Sequence, residues 1–148
     1  MMFADLGAEV IHIESERRVD LMRIMPPYDE DRESYIHQHL NRSKKSLQLN
    51  LKSDEGTDII KKLVQDYDIV IEGFRPGVMK RLGIDYDTLR QINPRLIYCA
   101  ITGYGQTGPY ATRPGHDNNY LSLGGVLDHS RLKDKKPVAM GIQIADIA

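Results

Sequence analysis

The sequence predicts an α/β fold, Rossmann-like, with a mostly parallel sheet and flanking helices. Short apolar, β-branched runs recur at Val10–Ile13, Asp68–Ile71 and Leu96–Ile101. Stretches with helical spacing alternate with them, the pattern of βαβ units. The run Asp68-Ile69-Val70-Ile71 does not alternate with polar residues, as expected of a strand buried in a parallel sheet.

The elements follow in order. "MMFADLG" reads as the end of a helix, and Val10 to Ile13 as the first strand. Residues 15–43 are polar, contain Pro26-Pro27, and read as a long loop with a helical turn near "RVDLMRIM". Residues 46–51, "SLQLNL", alternate apolar and polar, as a half-buried strand does. Ser53 caps the next helix, with Asp54 and Glu55 favouring its positive end, and Ile59, Ile60, Leu63 and Val64 turned inward. After the strand 68–71, Pro76 opens a short helix and Gly83 ends it. "DYDTLRQINP" is a further helix, capped by Asp85 or Asp87 and stopped at Asn93-Pro94. The strand 96–101 leads through "TGYGQTGPYATRPG" to a helix over 118–127.

At 148 residues the chain fits one α/β domain, here 1–148, with a modest core. Hydrophobic residues at 41% and charged residues at 28% exclude a disordered, charge-dominated chain. A net charge of −1 gives no electrostatic footprint for nucleic acid or an anionic membrane. No run approaches the roughly 20 apolar residues of a membrane span, and no signal peptide is legible. The single Cys99 excludes an internal disulfide. Its strand position predicts a buried thiol in a reducing, cytoplasmic setting. The apolar stop at "GIQIADIA" and the helical start suggest a piece of a longer enzyme.

Parallel sheets bind ligands at the carboxyl ends of their strands. "NLKS", "EGFRPG" and "TGYGQTGPY" fall there, and their glycines allow close backbone approach. None spells G-x-G-x-x-G or a Walker A loop, so a nicotinamide or simple nucleotide site lacks its usual signal. Arg42, Lys44, Lys45, Lys52, Arg75, Lys80 and Arg81 cluster near these ends and could meet a polyanionic cofactor. No His or Cys pair has metal-ligand spacing, so no metal is expected. His116, after Gly115 in a Pro/Gly corner, is either a loop hydrogen-bonder or a titrating catalyst. Asp146, among apolar residues, is a helix cap or a functional carboxylate whose pKa burial would raise.

Five ordered stretches carry a resemblance: "FADLGAEVIHIE", "NRSKKSLQLNLKS", "DIVIEGFRPGVMKRLG", "NPRLIYCAITGYGQTGPYATRPGHDNNY" and "GIQIADIA". Together the chain resembles the N-terminal part of the family III CoA-transferase (CaiB/BaiF) superfamily, with its opening strand and C-terminal remainder outside the match. "GHDNNY" is most similar to the α-methylacyl-CoA racemases. The resemblance implies that His116 and Asp146, 146 − 116 = 30 positions apart, form an acid/base pair. It further implies CoA contacts at Leu49, Asn50, Leu51, Lys52, Gly73, Phe74 and Arg81, and a loop over the thioester from Gly115 through Asp117, Asn118 and Asn119 to Tyr120. Where the family often has an arginine after the first strand, this chain has Ser15, with Arg17 and Arg18 nearby.

Coenzyme A is then part of the substrate, with no tightly bound cofactor, and the full-length protein is an interlocked homodimer. The expected reaction is proton removal and return at the α-carbon of an acyl-CoA, which wants two acid/base groups and amide donors to an enolate near residues 115–117. The alternative is CoA transfer between acids, with Asp146 as nucleophile. A third reading is a CoA-binding module without chemistry.

Overall fold

The computed structural model describes residues 1–15 and 17–147. The chain forms two compact units, Met1–Lys62 and Leu63–Ala148.

In the first unit, α1 (Met2–Asp5) leads to β1 (Ile11–Glu14), a 3-10 turn (Leu21–Ile24), α2 (Tyr35–Asn41), β2 (Lys45–Gln48) and α3 (Asp54–Leu63). β1 and β2 pair in parallel, from Ile11 opposite Lys45 to Glu14 opposite Gln48. The segment expected to be a long loop contains α2, started by the buried Ser34, whose hydroxyl accepts the His37 N–H. Asp29 braces that start by accepting the amides of Asp31 and Glu33 and the Gln38 side chain. Asp20 accepts the Met22 amide and so starts the 3-10 turn near "RVDLMRIM". Ser53 caps α3 by accepting the Gly56 N–H at 3.2 Å, as its position predicts.

The second unit contains β3 (Ile69–Glu72), α4 (Val78–Arg81), α5 (Tyr86–Ile92), β4 (Ile97–Ala100), α6 (Asp117–Leu123), a 3-10 turn (Val126–Ser130) and α7 (Ile144–Ile147). β3 and β4 are parallel, with Ile69 opposite Ile97 and Ile71 opposite Cys99. A parallel pair needs a crossover, and α4 and α5 supply it. Val64, Met79, Ile84, Leu89, Leu96 and Leu121 are buried and form the core. The Asn93 amide stops α5 and donates to the carbonyls of Val64 and Tyr67, which ties the crossover to the start of β3.

Several expectations are corrected here. β3 is not buried on both faces: Ile69 and Ile71, with Ile97 and Ile101 beside them, are exposed. Cys99 lies on the same face and is exposed, not buried. The alternating burial of β3 and β4 shows why, since only one face of this pair is packed in the described residues. Ile59 is exposed on α3 rather than turned inward. The expected 118–127 helix ends at Leu123, because Gly125 at φ +75° starts a separate 3-10 turn. Among the described residues no helix is long and apolar enough to cross a membrane.

Candidate active site

The loop after β4 is built around tyrosines resting on glycines. Tyr104 and Tyr120 meet edge-on with ring centroids 5.2 Å apart. Tyr120 lies so close to Gly103 and Gly115 that a Cβ at Gly103 would sit 2.1 Å from its hydroxyl oxygen and one at Gly115 2.6 Å from its ring. These two glycines therefore serve packing, and neither has a positive φ.

Gly115 leads into His116, the N-cap of α6. The His116 side chain is exposed, and its backbone N–H is taken by Asn119 Oδ1 at 3.0 Å. That amide, one of those expected to face an enolate, is already committed. Asp117 follows, with only 4% of its surface accessible, and its Oδ1 accepts the Ala145 N–H at 2.7 Å. Asp146 is the next residue on α7. It is exposed, so the condition under which burial would raise its pKa is not met. Burial pushes the Tyr120 hydroxyl above the ordinary tyrosine range, with Tyr104 and the Asp146 carboxylate adding to the shift. The two residues singled out as catalysts thus stand on α6 and α7, and their direct neighbours join these helices.

A second set of candidates follows β3. Glu72 accepts the Phe74 N–H at 2.7 Å across Gly73. Its carboxylate also acts on the nearby Tyr98 hydroxyl. Burial first, then the carboxylates of Glu72 and Asp85, push the Tyr98 hydroxyl up to about 12. Glu72, Tyr98, Arg75, Lys80 and Tyr86 line an open groove of about 400 Å³ at the carboxyl ends of β3 and β4. Arg81 is exposed on α4. Glu72 and Tyr98 escaped the sequence reading; an acid closing an apolar strand was the available signal.

In the first unit, Leu49 to Lys52 follow β2. Leu49 is buried, Lys52 is exposed, and Asn50 Oδ1 accepts the Lys52 amide. The Asn50 carbonyl packs against α3 at Gly56, where a Cβ would come within 2.2 Å of it. Two of the cations suggested for a polyanion are already paired, Arg42 with Asp5 and Lys45 with Glu9. Glu14, Asp20 and His37 bring their ligand atoms within 4.8 Å of one another, a grouping that spacing along the chain could not reveal. Both Glu14 oxygens already receive Arg23, and the Ser46 hydroxyl adds a third bond. These bonds hold the Glu14 carboxyl at about 2, below its ordinary 4.5. A cation bound there would face the Arg23 guanidinium, so the group reads as an internal polar cluster.

CoA-transferase family III matches residues 1–148 of this chain. The succinate–glutarate CoA-transferase of Agrobacterium fabrum is 39% identical over 153 residues, which cover 99% of this chain and 38% of that protein. The human succinyl-CoA:glutarate CoA-transferase is 37% identical over 148 residues, covering 100% of this chain and 34% of its own length. A CAIB/BAIF family protein from Brucella suis has a solved structure that superposes with a TM-score of 0.87 at 39% identity, over 97% of this chain and 39% of that one. The chain therefore spans 34–39% of the length of these relatives.

Proposed function

The chain belongs to CoA-transferase family III, and from that premise we propose that it serves an acyl-CoA:carboxylate CoA-transferase in which Asp146 is the nucleophile. The observation that carries this reading is the exposure of Asp146. A nucleophilic carboxylate must be ionised and reachable, whereas a proton shuttle near neutral pH gains from burial. Relatives named as succinate–glutarate, succinyl-CoA:glutarate and acetyl-CoA:oxalate CoA-transferases support the same choice over a racemase.

In the proposed step an Asp146 oxygen attacks the thioester carbonyl. The carbon–sulfur bond breaks as the carbon–oxygen bond forms, which leaves a mixed anhydride and CoA thiolate. The thiolate attacks the aspartyl carbonyl of that anhydride, which releases the donor as a carboxylate and leaves an Asp146–CoA thioester. The incoming carboxylate displaces the thiolate to form a second anhydride, and the thiolate then attacks its acceptor carbonyl, which gives the new acyl-CoA and frees Asp146. His116 is accessory in this scheme, and Tyr120 sits close enough to feel the Asp146 charge. Leu49 to Lys52 in the first unit, and Gly73, Phe74 and Arg81 in the second, are the proposed CoA contacts. The acyl-CoA substrate and the interlocked homodimer belong to the same proposal.

The second reading, racemisation at the α-carbon, is favoured by the histidine of "GHDNNY". One experiment separates the readings. The protein is given succinyl-CoA with glutarate, and separately a 2-methylacyl-CoA in D2O. Transfer that requires the second acid, with a hydroxylamine-trapped adduct at Asp146 that Asp146→Asn abolishes, supports the transferase. Deuterium entering the α-carbon without an acceptor, and lost in His116→Ala, supports the racemase. CoA binding with neither reaction leaves a binding module.

A further inference from the structure

We infer that Asp117 is a positioning residue that holds the Asp146 segment against the His116 helix. The inference rests on the proposed role of Asp146 and deepens it. The resemblance groups Asp117 with the loop over the thioester, but the side chain has another task. Asp117 is 4% exposed, the most buried acid in the described chain. A buried carboxylate is costly unless hydrogen bonds satisfy it. Here Oδ1 accepts the Ala145 amide at 2.7 Å, a length typical of a charge-assisted bond.

The bond spans 28 residues of chain and reaches the residue just before Asp146. Asp117 also stands in the first turn of α6, directly after His116, where a negative charge suits the helix end. Two other side chains of that turn are engaged locally. Asn119 closes on the His116 amide, and Tyr120 packs over Gly103 and Gly115. Asp117 is thus the side chain of this turn that accepts a hydrogen bond from α7. α7 has four residues, too few to hold a fixed direction by its own hydrogen bonds. An external tie at its second residue sets where the next side chain stands.

The test compares wild type, Asp117→Ala and Asp117→Asn. Amide hydrogen exchange of Ala145 reads the tie itself, whether or not the protein turns over. Protection is expected in wild type, lost in Asp117→Ala, and regained in Asp117→Asn, which keeps an acceptor oxygen. The rate of Asp146 adduct formation with succinyl-CoA should fall on the order of 10- to 100-fold in Asp117→Ala, as small misplacements of a reacting group do. The dissociation constant of free CoA should stay within about twofold, because an interaction that only positions the nucleophile does not hold the ligand. Asp117→Asn should recover most of the lost rate.

Free exchange of the Ala145 amide in wild type overturns the inference. So does a variant that weakens CoA binding while leaving the adduct rate intact, which would make Asp117 a ligand contact. If Asp117→Ala fails to fold, wild type and Asp117→Asn still decide: an unprotected Ala145 amide in both overturns the inference, and protection in both supports it. A wild type that binds CoA and forms no adduct rejects the nucleophile reading, and the Ala145 amide still reports on the tie.

Discussion

Tyr98 couples packing to charge at the end of β4. Its ring lies 5.9 Å from that of Tyr86, and its hydroxyl meets Glu72, which also holds the Phe74 amide. Burial and two nearby carboxylates raise its pKa from 10.0 to about 12. The folded state therefore favours the neutral phenol. That contribution is fully present below pH 10 and disappears as pH rises through about 12. A spectrophotometric titration of the eight tyrosines should show a step near 12, and Tyr98→Phe should remove that step while the raised Tyr120 remains. If all the tyrosines titrate together near 10, Tyr98 is not held in this half-buried, carboxylate-lined setting in solution. Single residues were legible where chemistry is local, as in the Ser53 cap. They were illegible where burial decides: Cys99 reads as buried and is exposed, and the sequence leaves open whether Asp146 is buried, which the structure answers with an exposed side chain. An apolar neighbourhood in sequence does not say which face of an element is covered.

Helix α3 and the turn after β2 depend on one missing side chain. At Gly56 an added Cβ would come within 2.2 Å of the Asn50 carbonyl oxygen and 2.8 Å of its carbon. Gly56→Ala would gain up to about 1 kcal/mol of helix propensity. The clash involves backbone, so overpacking at about 1–3 kcal/mol should win. The expected result is a lower denaturation midpoint, together with weaker CoA binding if residues 49–52 contact it. An unchanged midpoint would show that the turn can move aside. Strands were the easiest elements to read, since all four predicted runs became β1 to β4 with ends shifted by one to three residues. Helix α2 was missed because its seven residues, "YIHQHLN", have no clear apolar face. Its signals were Ser34 and the Asp29 network, and these are visible only once the chain has turned back on itself.

The response of the molecule to acid should centre on Glu14. Bonds from Arg23 and Ser46 lower its pKa from 4.5 to about 2. A depressed carboxyl contributes stability that is present above pH 4.5 and is lost as pH falls through about 2. Arg23 is 40% exposed, so solvent screens the pair and the effect is modest. Denaturant midpoints should decline across that window, and Glu14→Gln should flatten the decline while lowering the midpoint at neutral pH. A Glu14→Gln curve parallel to that of wild type would reject the pair as the source. The family was legible from five motifs in a fixed order, because four of them span β1 to β4 and the turns around them, where strand pairing and tight turns constrain residue type. The site was less legible: the sequence does not show that Asp117 reaches across 28 residues to the amide of Ala145, because that bond forms only on folding.

The open face of β4 offers a practical handle. The chain has a single sulfhydryl, and that group stands beside Ile71 and Ile97 on the uncovered side of the strand pair. A nitroxide attached there requires no substitution. Its line shape should be narrow while the face is bare and broaden when any polypeptide settles over it.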